Sequence, residues 1–166
     1  MAAGITYTPL ATNTLGSAAS SVTFSSISGS YTDLVLVVSG TVSTSQQIAL
    51  EFNGDTGSNY SMTALYGDGS SAASARATST TSMYGGLGWF GTSSTTSTTI
   101  AHIMNYANTT TYKTVVGRGN LSSNYVHAGV GLWRSTSAIN QIKITVNGGY
   151  NWNSGSTFSL YGITAA

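Results

Sequence analysis

The sequence predicts an all-β fold, two antiparallel sheets packed as a jelly-roll sandwich of about ten strands, on three observations. No sustained apolar period of 3.6 residues occurs, so amphipathic helices have no signal. β-Branched and aromatic residues fall in short runs separated by Gly, Asn, Asp and Ser, which is the pattern of strands and turns. The chain has 166 residues, a length that one sandwich core can fill.

The elements follow in order. Strands are expected at 21–27, 31–39, 46–53, 60–66, 83–90, 99–106, 111–118, 125–133, 138–146 and 157–163. Ile48, Leu50 and Phe52 alternate with Gln47, Ala49, Glu51 and Asn53, which assigns the first set to a core face. By the same rule Val126, Ala128, Val130 and Leu132 are expected inside, opposite Tyr125, His127 and Trp133. Ile142, Ile144 and Val146 likewise oppose Gln141, Lys143 and Thr145. Residues 34–38 are apolar on both faces, which fits either a central strand covered on both sides or a strand with one face buried by another subunit.

Turn chemistry separates these runs. Asn53-Gly54-Asp55, Gly67-Asp68-Gly69 and Asn147-Gly148-Gly149 supply residues that tolerate positive φ. Pro9 lies near the start, where it interrupts no central ladder. Residues 70–82 and 91–98 are poor in large apolar side chains and rich in Ser, Thr and Ala, and read as long loops. With no linker or fixed-period repeat, residues 1–166 are expected to form one sandwich domain. An immunoglobulin-like sandwich is the competing architecture, but its Cys/Trp/Cys spacing is absent and ten strands exceed its usual count.

Composition narrows the function. Charged residues make up 5% of the chain, where about 25% is usual. Ser and Thr take their place, at 53 of 166 residues. A net charge of +1 creates no field to attract nucleic acid or an anionic membrane, so neither is an expected partner. Weak self-repulsion favours association instead, and points to an oligomer. Cysteine is absent, which excludes disulfides and thiolate metal sites. No apolar run reaches 18 residues and residues 1–10 lack a signal-peptide pattern, so a soluble protein is expected.

Chemistry finds little to work with. The carboxylates are Asp33, Glu51, Asp55 and Asp68, and the two in Gly-rich turns suit Asx-turn roles better than acid/base catalysis. There is no G-x-S-x-G elbow for a serine nucleophile. His102 and His127 lie on separate strands with no further ligands nominated, so no metal and no cofactor is expected. Gly85-Gly86-Leu87-Gly88 lacks the strand-to-helix context and lysine of a phosphate loop. Trp89/Phe90, Trp133 and Tyr150/Trp152 could stack on sugar rings, but core or subunit packing is the preferred reading. A non-enzymatic protein is expected.

Four phrases, Tyr31-Thr-Asp-Leu-Val-Leu-Val-Val38, Phe52-Asn-Gly-Asp-Thr-Gly-Ser-Asn-Tyr60, Gly131-Leu-Trp-Arg-Ser-Thr136 and Gly155-Ser-Thr-Phe-Ser-Leu-Tyr-Gly-Ile163, together resemble a family of short virion proteins of tailed bacteriophages. The resemblance spans nearly the whole chain and implies a jelly-roll structural component that assembles as a homotrimer. It identifies no catalytic residue. Within that class a capsid decoration (cement) protein, bound to the major capsid protein on the virion surface after synthesis in the host cytoplasm, is the leading expectation. A tail-fibre or receptor-binding tip that recognises host glycan is the alternative. Residues 1–20 are the candidate lattice-contacting arm, with Ile5, Tyr7, Leu10 and Leu15 as its contacts, unless they pair as a strand within their own sheet.

Overall fold

All ten expected segments carry strands in the computed structural model, which describes residues 6–92, 96–121 and 124–164, and two further strands join them. In chain order they are β1 (Tyr7–Thr14), β2 (Ser21–Phe24), β3 (Asp33–Gly40), β4 (Gln46–Phe52), β5 (Tyr60–Gly67), β6 (Ala72–Thr80), β7 (Met83–Phe90), β8 (Ser97–Met104), β9 (Lys113–Leu121), β10 (Tyr125–Trp133), β11 (Ile142–Val146) and β12 (Thr157–Ile163). An eight-stranded sheet runs β1-β12-β3-β8-β9-β10-β5-β6, and a four-stranded sheet runs β2-β11-β4-β7. Every ladder is antiparallel. The result is the two-sheet sandwich of jelly-roll type that the alternation predicts.

The two added strands are edge strands of the large sheet. β6 occupies most of the stretch expected to be a loop at 70–82. Its side chains, small apart from Arg76 and mostly exposed, bury almost nothing, so it is held by its backbone ladder to β5, which composition does not reveal. β1 pairs with β12, so residues 7–14 of the candidate arm form a strand of their own sheet. Pro9 sits beside a register shift in that ladder, a place an edge strand accommodates. Of the expected loop at 91–98, Ser97 and Thr98 open β8, and 93–95 lie outside the described residues.

Positive φ occurs where the turn residues require it, at Asn53 (54°) and Gly54 (69°), at Gly69 (87°), and at Gly148 (84°) and Gly149 (77°).

The core lies between the sheets. Leu34, Leu36 and Val38 of β3 meet Ile48, Leu50 and Phe52 of β4 and Ile142, Ile144 and Val146 of β11 in one buried cluster. Aromatic groups fill both ends: Phe52, Tyr60 and Trp133 pack with ring centroids 5.5–6.3 Å apart, and Trp152 stands edge-on to Phe90 at 5.2 Å and to Phe158 at 4.9 Å. These rings are therefore core, and an exposed sugar platform at Trp133 and Trp152 is excluded.

One assigned face is inverted. Val126 (65% exposed) and Val130 (48%) point to solvent, while His127 and Trp133 are buried. The cause is a glycine furrow. β9 and β10 place Gly117 opposite Gly129 on their inner face, with Gly119 and Gly131 flanking them. Strand β7 lies in this furrow so closely that a Cβ on Gly129 would stand 2.4 Å from the Gly86 Cα, and one on Gly131 would stand 2.1 Å from the Met83 Sδ. Backbone replaces side chain on the inward face, leaving the valines for the outside. The Gly85–Gly88 run, weighed as a phosphate loop, is thus a packing ridge.

Candidate functional site

Two surfaces meet on opposite sides of β10. The first is the outer face of the large sheet. Ladder pairing places Pro9, Tyr161, Val35, His102, Val116, Val130, Thr63 and Arg76 in one row across all eight strands. The next row reads Thr12, Ser159, Val37, Ile100, Arg118, Ala128, Leu65 and Ser74. Arg76 and Arg118 are the charged side chains of the two rows, with His102 held at 2.9 Å from the Asp33 carboxylate. Leu65 (63% exposed), Val116 (43%), Val126 and Val130 form an apolar patch with a shallow hollow of about 630 Å³ beside Gly67, Ala72 and Ala128, which Tyr66 and His127 also line.

The second surface is a slot on the inner side. The large sheet extends past β7, the last strand of the small one, to its mostly exposed edge strand β6. Where that overhang begins, Tyr66 of β5, His127 and Tyr125 of β10, Gln47 of β4, Trp89 of β7 and Leu121 of β9 line a cavity of about 320 Å³. The His127 ring stacks on Tyr66 at 5.7 Å and 25°, and tilts against Tyr125 at 6.0 Å and 36°. The residue is 5% exposed, and neither ring nitrogen has a hydrogen-bond partner. Burial pushes its pKa down, so the imidazole is neutral at pH 7.

The remaining polar groups named from the sequence are committed locally. Asp55 accepts from the Trp133 indole at 2.7 Å, from the Asn59 amide at 2.9 Å and from the Gly57 N–H at 2.8 Å. Asp68 accepts from the backbone of Ser70 and Ser71, the Asx-type turn expected of it. Glu51 pairs with Lys143 across the β4–β11 ladder at 3.1 Å. The fully buried Lys113 donates to the Thr111 and Thr136 carbonyls. His102 and His127 are not brought together: the first faces outward on β8 and the second inward on β10. Among the described residues no group of three His, Cys, Asp or Glu could hold a metal ion.

No family model and no curated protein matches the chain. Among solved structures it is similar to exo-inulinase from Aspergillus awamori (12% identity, 97% of this chain and 29% of that one, TM-score 0.43). It is also similar to galectin LEC-6 from Caenorhabditis elegans (8% identity, 89% and 94%, TM-score 0.39) and to alginate lyase Aly36B (12% identity, 92% and 77%, TM-score 0.34). The chain spans less than a third of the exo-inulinase. With identities this low and scores this small, the likeness says nothing of function.

Of the four expected contact residues, Tyr7 is exposed on β1. Leu10, at the β1 register shift, and Leu15, just after that strand, are half-buried and pack against the core. Ile5 lies outside the described residues. The outer face escaped the sequence reading because its valines were assigned inside. The slot escaped because Trp89 reaches it from the other sheet, although Tyr125 and His127, two apart on one face, were a partial signal.

Proposed function

We propose that this chain is a non-enzymatic assembly module of a virus particle, a capsid decoration (cement) protein of a tailed bacteriophage, whose copies associate through the outer face of the large sheet. The observation that carries this reading is the exposed apolar patch of Leu65, Val116, Val126 and Val130 on a sheet nearly free of charge. Eight strands about 4.8 Å apart and about seven residues long at ~3.3 Å each present a face of about 900 Å². That matches the ~800 Å² each partner contributes to a standard stable interface. Few like charges oppose contact between copies, and a second copy is therefore the occupant this face suits.

A homotrimer formed in this way leaves the β1 edge, with exposed Tyr7, to meet the major capsid protein. Three such contacts engaged at once on a symmetry axis raise avidity far above the affinity of one. The protein would then act on the virion surface after synthesis in the host cytoplasm.

The test is sedimentation of the wild type and of a Val116→Lys, Val130→Lys variant, followed by addition of each to undecorated shells. The expected result is a wild-type trimer that binds shells and raises their heat resistance, and a folded variant that sediments as a monomer. A monomeric wild type would remove the self-association. Binding to host-cell surfaces in place of shells would replace decoration with a receptor-binding tip.

A further inference from the structure

We propose that the slot at His127 is a binding site for a neutral saccharide, held by ring stacking and by hydrogen bonds to the imidazole and to the Gln47 amide. The inference does not rest on the assembly face: the slot opens on the inner side of β10, although Tyr66 and His127 line both it and the hollow of the outer face.

Three features define the ligand. Tyr66, Trp89 and Tyr125 line one small cavity, and flat aromatic faces with polar tips suit ligands that are apolar on one side and wet on the other. Every lining residue is uncharged at pH 7, so an anionic or cationic ligand would enter without a counter-charge. The volume of about 320 Å³ is at the small end of ligand pockets, roughly 300–1,000 Å³. A pyranose ring, with C–H groups on its face and hydroxyls on its rim, meets all three conditions.

His127 is the observation that separates this slot from ordinary packing. A 95% buried imidazole with both nitrogens unpartnered is a cost to the fold that an apolar ring of the same shape would avoid. Trp133, Tyr60 and Lys113 have their buried polar atoms satisfied, and the Trp152 indole nitrogen, set between Phe90 and Phe158 in the core, shares the unpartnered state but lines no cavity described above. A neutral imidazole can donate from one nitrogen and accept at the other, which is the pairing a sugar hydroxyl offers. A small outward shift of Tyr66 or Tyr125 would bring a hydroxyl to it.

The experiment titrates the full-length protein with D-glucose, D-galactose, N-acetyl-D-glucosamine and maltose, following the His127 and Trp89 ring resonances by NMR and heat by calorimetry. At least one sugar is expected to bind and to shift both resonances. Trp89→Ala should weaken that binding by roughly tenfold, the scale of a lost aromatic contact. His127→Phe should abolish it while raising the melting temperature, since it removes the unpaired nitrogens and keeps the ring. If none of the four sugars moves either resonance, or if binding survives both substitutions, the proposal is overturned. A His127→Phe variant that is less stable would overturn the claim that the imidazole is retained for a ligand. The oligomeric state should be unchanged in both variants, which keeps this outcome separate from that of the assembly reading.

Discussion

The Cα of Gly86 in β7 stands where a side chain on Gly129 in β10 would have to go, 2.4 Å from the position of its Cβ. This contact holds the edge of the small sheet against the large one with no side chain between them. It also decides which way β10 faces, and through that, where the apolar surface lies.

Gly129→Val should therefore separate the sheets and cost about 2 kcal/mol or more, in the range of overpacked cores. Gly16→Ala, at a position with nothing within 4 Å, should be close to neutral. Urea denaturation of the two variants checks the pair, and equal midpoints would show that the furrow does not hold the sheets.

Leu50, fully buried in the central ladder of the small sheet, and Val130, 48% exposed, should respond differently to truncation. Leu50→Ala is expected to cost about 2–4 kcal/mol. Val130→Ala should change the unfolding free energy by less than about 0.5 kcal/mol when measured on dilute protein. Similar losses at both sites would restore Val130 to the core and invert the description of β10.

Acid should weaken the fold through Asp55. Burial alone would raise its pKa, but hydrogen bonds from Trp133, Asn59 and Gly57 more than reverse this and hold the carboxyl below its ordinary value. Its folded-state pKa is then lower than its unfolded one, so its contribution is complete above the unfolded value of about 3.9. It is lost as the pH falls through the folded value. Melting temperature measured from pH 7 down to strong acid should drop below the ordinary carboxylate range, and Asp55→Asn should flatten that drop. An unchanged acid profile in the variant would show that the Trp133 contact does not depend on charge.

Self-association should be insensitive to salt. An interface of valine, leucine and hydroxyl groups gains little from Coulomb attraction, and only Arg76, Arg118 and the Asp33–His102 pair bring charge near it. Sedimentation in low and high salt should give the same trimer population. Dissociation at high salt would point to an interface elsewhere, on the charged parts of the surface.

How much of this was legible beforehand depends on what each strand packs against. Strands β4 and β11 could be read with their faces, because Ile48, Leu50, Phe52, Ile142, Ile144 and Val146 are large, apolar and inward, while Gln47, Glu51, Lys143 and Thr145 oppose them. The Asn-Gly and Gly-Asp-Gly turns could be placed, because positive φ selects so few residues. The lack of helix among the described residues and the scarcity of charge were also visible, since these are properties of composition and spacing. Period-2 alternation in β10 showed that the strand has two unlike faces, but not which one is buried. The valines outnumbered the inward set only because glycine holds two of its places, and a glycine reads as nothing until the strand that fills its space is known. In the same way β1 and β6 are strands through backbone pairing to β12 and β5, a bond that carries no side-chain signature. The outer apolar face and the His127 slot both follow from the seating of β7 in the furrow, and only the tertiary structure could decide that.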